Sequence, residues 1–235
     1  NEFVKKLLPK KSQDAHKGSV GHLITICGSV GMSGAASLAS VGALKCGAGL
    51  VTACVPNVLR DNLPGQTSEI ITASPKDASE YFSEEHADFI EQISLVSDAI
   101  LMGCGLGVNS QTAKFVQTLT RHLKGPLLID ADGLNNLEKD DLIERLDLSI
   151  ITPHPLELSR LCGKSVTEIQ ENRISTVRHL SQEWNVILLL KGAYTVIGTP
   201  DSEIFINPTG NSALATAGSG DVLSGFIGGF LAQGL

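Results

Sequence analysis

The sequence lacks the features that would place it in a membrane or in an oxidising compartment. It has no run of 18 or more apolar residues and no signal-peptide core near its start, so neither a membrane span nor a secretory leader is predicted. Its five cysteines are widely spaced and form no C-x-x-C pair, which argues against a zinc knuckle and a disulfide framework. We expect a cytoplasmic protein whose thiols are mostly buried and free.

Positive charge and aromatic side chains are also scarce. The 235 residues include 18 Lys and Arg against 25 Asp and Glu, a net charge of −7, without a basic cluster. Nucleic-acid binding is therefore not expected, and a phosphorylated ligand would need backbone N–H groups, a lysine or a divalent cation. Apolar residues make up 42% and aromatic residues only 4%, with 24 glycines, a composition typical of a closely packed globular α/β protein.

Short apolar runs alternate with helical patterns along nearly the whole chain. Several runs are continuously apolar, which is typical of parallel strands covered on both faces. The predicted strands are His22–Cys27, Leu50–Val55, Glu69–Thr72, Ala99–Gly103, Leu127–Asp130, Leu148–Thr152 and Val186–Leu190. Helices are predicted at Gly34–Cys46, Gln111–Leu123 and Thr167–Trp184. This order predicts a three-layer α/β/α fold with a mostly parallel central sheet.

The last part of the chain departs from that order. Two short runs, Thr195–Ile197 and Ile204–Ile206, are joined by Thr-Pro-Asp-Ser and predict a late β-hairpin. The sequence ends within the helical pattern GFIGGFLAQGL, and a helix that ends there is expected to have little to pack against. We therefore expect residues 1–235 to form a single domain that is truncated at its C-terminus.

Five segments place polar or glycine residues where loops follow strands, the usual ligand-binding edge of an open α/β sheet. In the first, Gly218, Ser219, Gly220 and Asp221 open the final helical pattern. Free N–H groups at a helix start bind anions, and Asp221 could accept the proton of a hydroxyl that attacks a terminal phosphate. The alternative is a capping loop in which Asp221 only stabilises the helix dipole.

Two further segments contribute a histidine, a glutamate and a lysine. His154 and Glu157 lie in Thr-Pro-His-Pro-Leu-Glu, directly after a predicted strand; the prolines also fit a rigid turn before a helix. Lys191 follows the apolar run VILLL, where a charge is costly unless an anion such as phosphate meets it. The alternative is a lysine that extends to solvent.

Two glycine-rich segments complete the set. Gly28–Gly34 is followed by Ala35 and Ala36 but by no Gly-Lys-Ser/Thr, so it is not a Walker A motif. Gly103–Gly107, a helix and a strand ending at Asp130 imitate a dinucleotide-binding fingerprint. Its spacing is G-x-G-x-G, however, with a valine at the third glycine position of G-x-G-x-x-G.

Taken together, these motifs resemble the NAD(P)H-hydrate dehydratase branch of the ribokinase-like superfamily. The resemblance covers His16 to Leu235 and rests on G-x-x-x-M-x-G-A-A, G-x-G-L-G, D-A-D-x-L-N, T-P-H-P-x-E, K-G-A and N-P-T-G-N…G-S-G-D in the family's order. Ser149, where the strand is usually apolar, and the abrupt C-terminus depart from the family pattern. The resemblance implies a ribokinase-like fold and dehydration of (S)-NAD(P)H hydrate, in which ADP or ATP with Mg²⁺ phosphorylates the ring hydroxyl. The standalone-like start and compact loops favour ADP, as in bacterial-type members.

The same resemblance implies a role for each motif. Asp221 is expected to be the catalytic base and a substrate contact. The other implied substrate contacts are Ala35, Ala36, Gly107 and His154. The implied nucleotide contacts are Lys191, Gly192, Ala193, Tyr194 and Thr195, with Gly218, Ser219 and Gly220 as the phosphate hole. Glu157 is implied to organise Mg²⁺ indirectly, and Asp130 and Asp132 either assist magnesium or cap the following helix.

Partners and rival functions follow from the same motifs. The resemblance implies a homo-oligomer, a tetramer, and a hydrate epimerase as a separate partner or a fused domain. A vitamin or sugar kinase of the same fold would share the GSGD and T-P-x-x-x-E motifs. An NAD oxidoreductase would instead use GCGLG and Asp130, and a nucleotide-sensing module would leave Asp221 without a role.

Overall fold

A computed structural model of the protein describes residues 2–9, 12–63, 68–78 and 80–235. The strands of this part of the chain are β1 His22–Ile26, β2 Leu50–Cys54, β3 Ile71–Ala73, β4 Ala99–Met102, β5 Leu127–Ile129, β6 Ser149–Ile151, β7 Ile187–Leu190, β8 Thr195–Gly198 and β9 Ile204–Asn207. They form one sheet in the order β3-β2-β1-β4-β5-β6-β7-β8-β9. Strands β1 to β7 pair in parallel, whereas β8 and β9 pair antiparallel. The mostly parallel sheet and the late hairpin are therefore confirmed.

Helices cover both faces of the sheet. They are α1 Glu2–Leu7, α2 Ser33–Lys45, α3 Asn57–Arg60, α4 Ala87–Ser94, α5 Ser110–His122, α6 Asp132–Asn135, α7 Lys139–Ile143, α8 Pro155–Cys162, α9 Val166–Glu171, α10 Arg173–Glu183 and α11 Ser219–Ala232. Successive strand residues point to opposite faces, and they enter two separate apolar clusters: Leu23 and Leu101 pack with α2 and α11, while Ile24 and Ile100 pack with α4 and α5. In the described part of the chain, no helix is long and apolar enough to cross a bilayer.

Two predicted elements are placed differently in the structure. The helix predicted over Thr167–Trp184 is divided at Asn172, whose φ of −127° and ψ of 35° leave the helical region. Its backbone N–H still donates to the carbonyl of Glu168, as in a helix, and its side-chain amide donates to the same carbonyl; α9 ends at Glu171 and α10 begins at Arg173. The strand predicted at Glu69–Thr72 begins instead at Ile71, because pairing with β2 starts there.

The final helix is not short of packing, so that expectation is wrong. Helix α11 lies across α2 and the sheet. A Cβ on Gly225 would overlap the backbone of Ala39, and one on Gly228 would contact the side chains of Leu23 and Leu101. Because these glycines let the backbones approach closely, the N-terminal end of α11 is held at the carboxyl edge of the sheet.

All five cysteines are free thiols, as predicted. Cys27, Cys54 and Cys104 are buried, whereas Cys46 and Cys162 are partly exposed. Two of the buried ones follow neighbouring parallel strands, since Cys27 comes directly after β1 and Cys104 comes shortly after β4. This places thiols, rather than charged groups, beneath part of the carboxyl edge.

Candidate active site

The N-terminus of α11 has the geometry of an anion-binding site. Gly218 is the N-cap, with a left-handed φ of 85° and ψ of −11° that favours glycine. Among the described residues no side chain caps this helix, and its first hydrogen bond within the helix runs from the N–H of Val222 to the carbonyl of Gly218. The N–H groups of Gly220 and Asp221 therefore point out of the helix start, where an anion is stabilised by them and by the helix dipole.

Asp221 stands in the first turn of α11 and is half-buried. Burial raises the pKa of this carboxyl above its usual value, and the nearby charges of Asp130 and Asp132 raise it further. A hydrogen bond from the Cys104 thiol and the positive charge of Lys191 oppose that rise in pKa. Asp221 is thus a carboxylate whose proton affinity is increased, the property that a general base needs.

Lys191 already has an anionic partner in the structure. Its Nζ lies 2.6 Å from Asp130 Oδ1 and 3.8 Å from Glu157 Oε2, and a Cβ on Gly220 would be 3.9 Å from the same Nζ. Asp130 is only 1% exposed. The anionic partner of Lys191 in the structure is therefore the carboxylate of Asp130. A phosphate bound at Gly220 would share the Lys191 ammonium with this carboxylate.

Asp130 also ties α11 to the sheet. Its second oxygen, Oδ2, accepts a hydrogen bond of 2.6 Å from the hydroxyl of Ser224. Three elements are joined in this way, because Asp130 follows β5, Lys191 follows β7 and Ser224 belongs to α11. Sequence reasoning did not identify this arrangement. The sequence feature that could have indicated it is the aspartate directly after the apolar strand LLI, because a buried charge needs a partner.

Asp132 contacts the glycine-rich loop after β4. Its Oδ2 accepts a 2.9 Å hydrogen bond from the N–H of Gly107, and the Gly107 carbonyl accepts one of 2.8 Å from Asn136 Nδ2. The N-cap of α6 is Ala131, without a side-chain cap. The idea that Asp130 or Asp132 caps this helix is therefore wrong, and Asp132 instead fixes the position of Gly107.

His154 and Glu157 form a capping box at the start of α8. His154 Nδ1 accepts hydrogen bonds from the N–H groups of Leu156 and Glu157 at 3.1 and 3.2 Å, and Glu157 Oε2 accepts one of 2.7 Å from the His154 N–H. The His154 Nε2 lies 3.3 Å from Glu157 Oε1, and its side chain is 46% exposed. Both ring nitrogens thus contact groups of the capping box, while the exposed part of the ring is open to a ligand.

Glu157 is the buried member of this box. Burial raises its pKa, whereas Lys191 and the hydrogen bond from the His154 backbone lower it, and Asp130 raises it again. The net shift in pKa is upward, because burial outweighs the attraction of the Lys191 ammonium at 3.8 Å. Glu157 is accordingly close to the predicted phosphate site without being a free surface carboxylate.

The two glycine-rich loops lie against each other. The hydroxyl of Ser29 donates a 2.8 Å hydrogen bond to the Gly105 carbonyl, and a Cβ on Gly105 would collide with Ala35. Ala35 is partly exposed, but Ala36 is 0% exposed and belongs to the core beneath α2. Of the two predicted alanine contacts, only Ala35 therefore has surface that a ligand could touch.

The segment Lys191–Thr195 forms the turn between β7 and β8. Tyr194 has a positive φ of 56° and its side chain is 67% exposed. The guanidinium of Arg173 donates to the carbonyls of Leu190 and Lys191 at 3.0 and 3.3 Å, which holds the start of the turn. An open cavity of about 500 Å³ adjoins the turn and is lined by Arg173, Ile174, Arg178, Ala193, Tyr194 and Ile206.

The carboxylates of the site fit a magnesium ion brought by a nucleotide better than one held by the protein alone. The described residues contain no group of three or more His, Cys, Asp or Glu that could hold a metal, and both oxygens of Asp130 already have partners. Magnesium commonly keeps several waters and takes phosphate oxygens with only one or two carboxylates. Glu157 and Asp221 can supply such contacts, directly or through water.

Comparison with known proteins identifies relatives over almost the whole chain. The family model described as NAD(P)H-hydrate dehydratase matches residues 23–235. A bifunctional NAD(P)H-hydrate repair enzyme Nnr of Moorella thermoacetica is 42% identical over 97% of this chain, which spans only 44% of that relative. An ADP-dependent (S)-NAD(P)H-hydrate dehydratase of Neisseria meningitidis is 38% identical over 96% of this chain and 74% of its own length.

Solved structures agree with the observed fold. The ADP/ATP-dependent NAD(P)H-hydrate dehydratase of Bacillus subtilis, co-crystallised with ATP and Mg²⁺, superposes with a TM-score of 0.86 and 32% identity. The superposition covers 98% of this chain and 79% of that one. A ribokinase-like superfamily protein of Enterococcus faecalis, 22% identical with a TM-score of 0.85, shows the fold alone. The ribokinase-like fold expected from the sequence is confirmed.

Proposed function

Because the chain belongs to the NAD(P)H-hydrate dehydratase family, we propose that it converts (S)-NAD(P)H hydrate to NAD(P)H while consuming ADP or ATP. The observation that carries the proposal is the position of Asp221. A carboxyl whose pKa is raised by burial stands in the first turn of a helix whose N-terminal N–H groups are open to an anion. A base beside a phosphate-binding helix start is what phosphorylation of a hydroxyl requires.

In the proposed reaction, Asp221 accepts the proton of the ring hydroxyl as the hydroxyl oxygen attacks the terminal phosphorus of the nucleotide. The bond from that phosphorus to the bridging oxygen breaks, and the shortened nucleotide leaves. The N–H groups of Gly220 and Asp221 and the ammonium of Lys191 stabilise the charge on the transferred group. A magnesium ion bound with the nucleotide would neutralise phosphate charge, with Glu157 as its indirect ligand.

The second half of the reaction explains why a dehydration consumes nucleotide. Hydroxide is a poor leaving group, whereas a phosphate ester leaves readily. The lone pair of the ring nitrogen expels orthophosphate, and loss of a proton from the adjacent carbon restores the dihydronicotinamide. We assign the hydrate to the side of Ala35, Gly107 and His154, and the nucleotide to the side of Lys191–Thr195.

Two further proposals concern the partners of this chain. The Moorella relative is named bifunctional, so we propose that a hydrate epimerase activity, fused or separate, supplies the (S) form. We also propose a homo-oligomer, because large apolar side chains such as Phe205 and Ile206 are about half exposed on the edge strand β9; the proposal that it is a tetramer rests on the family resemblance alone. Light scattering of the purified chain measures the oligomeric state directly.

The test of the function is an assay with purified NADH hydrate. The protein is incubated with hydrate and Mg²⁺ together with ADP, with ATP or with neither nucleotide, and absorbance at the reduced-nicotinamide band is followed. We expect NADH and orthophosphate in equal amounts only when a nucleotide is present, with ADP the better co-substrate, and no turnover after chelation of Mg²⁺. Absence of NADH with both nucleotides, or accumulation of a stable phosphorylated vitamin or sugar in a substrate screen, would reject the proposal.

A further inference from the structure

An aromatic side chain that the motifs do not include lies at the hydrate side of the carboxyl edge. Tyr81 belongs to the connection between β3 and α4. Its neighbour Phe82 is buried in the core, with 1% exposure, and stacks on Phe115. Tyr81 points the other way and is 39% exposed. The chain therefore presents a tyrosine outward from a firmly packed position.

The ring of Tyr81 lies against the glycine-rich loop after β4. A Cβ on Gly107 would be 3.2 and 3.4 Å from two ring carbons of Tyr81, and 3.6 Å from the hydroxyl oxygen of Ser29. The absence of a side chain at Gly107 thus leaves room for the ring. A larger residue at position 107 would displace it, because Cβ contacts at 3.2 Å are already tighter than ordinary packing.

Two hydrogen bonds fix the backbone on either side of Tyr81. The carbonyl of Glu80 accepts a 3.1 Å bond from the N–H of Val30, and the carbonyl of Phe82 accepts one of 3.1 Å from the hydroxyl of Thr112. The first connects Tyr81 to the loop after β1, and the second connects it to α5. The backbone that carries the exposed ring is consequently held on both sides.

Tyr81 and Met32 lie on two sides of the same loop. Met32 is 50% exposed, and its Cβ and carbonyl oxygen lie beside Gly105. Cys104, three residues before Gly107 in this loop, lowers the pKa of Asp221. The loop therefore connects the aromatic ring to the proposed catalytic base within a few residues. Exposed apolar side chains beside such a base suit a ligand with an uncharged, partly apolar surface.

We propose that Tyr81 forms the aromatic wall of the hydrate subsite and packs against the uncharged hydrated ring, so that the ring hydroxyl faces Asp221. The inference rests on the proposed function, since it assigns a residue to that substrate. An aromatic ring offers a large contact area at a low cost in side-chain entropy. Because ring carbons of Tyr81 face Gly107, the ring rather than the phenolic hydroxyl is the important group.

The experiment compares Tyr81→Ala with Tyr81→Phe in steady-state kinetics. Loss of the ring in Tyr81→Ala is expected to raise the KM for NADH hydrate roughly three- to tenfold, the size of a typical aromatic contact. We expect kcat to stay within about twofold, and ADP affinity measured by calorimetry to stay unchanged. Tyr81→Phe should restore the wild-type KM because it keeps the ring.

A matched control is Leu95→Ala, since Leu95 is an apolar side chain with 82% exposure just before β4, at the opposite edge of the sheet. This variant should keep the wild-type KM. A wild-type protein that forms no NADH would reject the proposed function together with this inference. An active wild type with an unchanged KM in Tyr81→Ala would overturn the inference alone. So would an equal loss of hydrate and ADP affinity together with a lowered melting temperature, because that pattern indicates a structural role.

Discussion

The two sides of the candidate site are built by different physical means. On the nucleotide side, buried charges are joined across three elements, with Lys191 paired to Asp130 and Asp130 bonded to Ser224. On the hydrate side, glycine-rich loops are fixed mainly by hydrogen bonds to main-chain groups, as at Gly107, and exposed apolar side chains such as Tyr81 surround them. A phosphate needs fixed charge and N–H groups, whereas an uncharged ring needs shape and apolar surface. Substitutions on the two sides should accordingly change different kinetic constants.

The largest effect is expected where the two sides meet, at Asp221. Asp221→Asn keeps the size of the side chain but cannot accept a proton, so single-turnover formation of NADH should fall by about 10²–10⁴-fold or more. ADP affinity should be kept or improved, because a negative charge beside the phosphates is removed. Near-normal turnover would show that Asp221 is not the catalytic base.

The stability of the same variant separates catalysis from capping. Burial raises the pKa of Asp221, so the folded state holds this proton more tightly than the unfolded state does. The charged form therefore costs stability at neutral pH, and that cost disappears as pH falls through the raised pKa. Asp221→Asn should melt no lower than wild type near pH 7, with the difference shrinking in acid. A large drop in melting temperature would show that Asp221 chiefly stabilises the helix.

Breaking the charge network should change stability and nucleotide binding more than hydrate binding. Lys191→Met leaves the carboxylate of Asp130 buried without its partner, and breaking a buried pair costs about 3–5 kcal/mol of unfolding free energy. Since Lys191 is 21% exposed, we expect a value near the lower end. Denaturant unfolding of Lys191→Met, Asp130→Asn and the double variant measures the coupling between the two residues.

Calorimetry on the same variants tests the assignment of Lys191. ADP affinity should fall more than hydrate affinity in Lys191→Met, because only phosphate is proposed to share the ammonium. The double variant with Asp130→Asn should regain stability without regaining ADP affinity. Equal losses for ADP and hydrate would indicate that the end of β7 is simply damaged, and the division into two sides would not hold.

The sequence predicts much of the fold and several residues of the site, but it does not predict contacts between residues that are far apart in the chain. Continuously apolar runs predicted the parallel sheet because both faces are covered, and the GSGD motif predicted the start of α11. The Asp130–Lys191 pair joins residues 61 positions apart, and local patterns carry no information on such a contact. The break at Asn172 was missed because the apolar pattern of a helix can continue across a single residue whose backbone is not helical. Tyr81 was missed because a single outward aromatic residue in a connection belongs to no motif.

His154 allows a finer test, since it has both a capping and a proposed substrate role. His154→Ala should lose the cap, at a cost of about 0.5–2 kcal/mol, and should raise the KM for hydrate. His154→Asn should keep the cap, because asparagine is a favoured N-cap residue, but should still raise the KM for hydrate while ADP affinity stays the same. A wild-type KM in the asparagine variant would leave His154 with its structural role only.

The smallest expected effect is a shift in the pH dependence of kcat. Asp221 must be ionised to act as a base, and burial raises its pKa, so activity should fall with decreasing pH earlier than for an exposed aspartate. Lys191 lowers the pKa of Asp221. The acid limb of kcat against pH should therefore move to higher pH in Lys191→Met. A limb that stays in place would mean that the charge network does not influence the base.

The most direct test of the account follows the oxygen atom of the ring hydroxyl. NADH hydrate is prepared with ¹⁸O at that hydroxyl and turned over with ADP and Mg²⁺ in unlabelled water, and the released orthophosphate is analysed by mass spectrometry. If Asp221 activates the hydroxyl to attack the nucleotide, each orthophosphate should carry one ¹⁸O atom for each NADH formed. Orthophosphate that contains only solvent and nucleotide oxygen, while NADH forms, would show that the hydroxyl is never phosphorylated and would contradict the account.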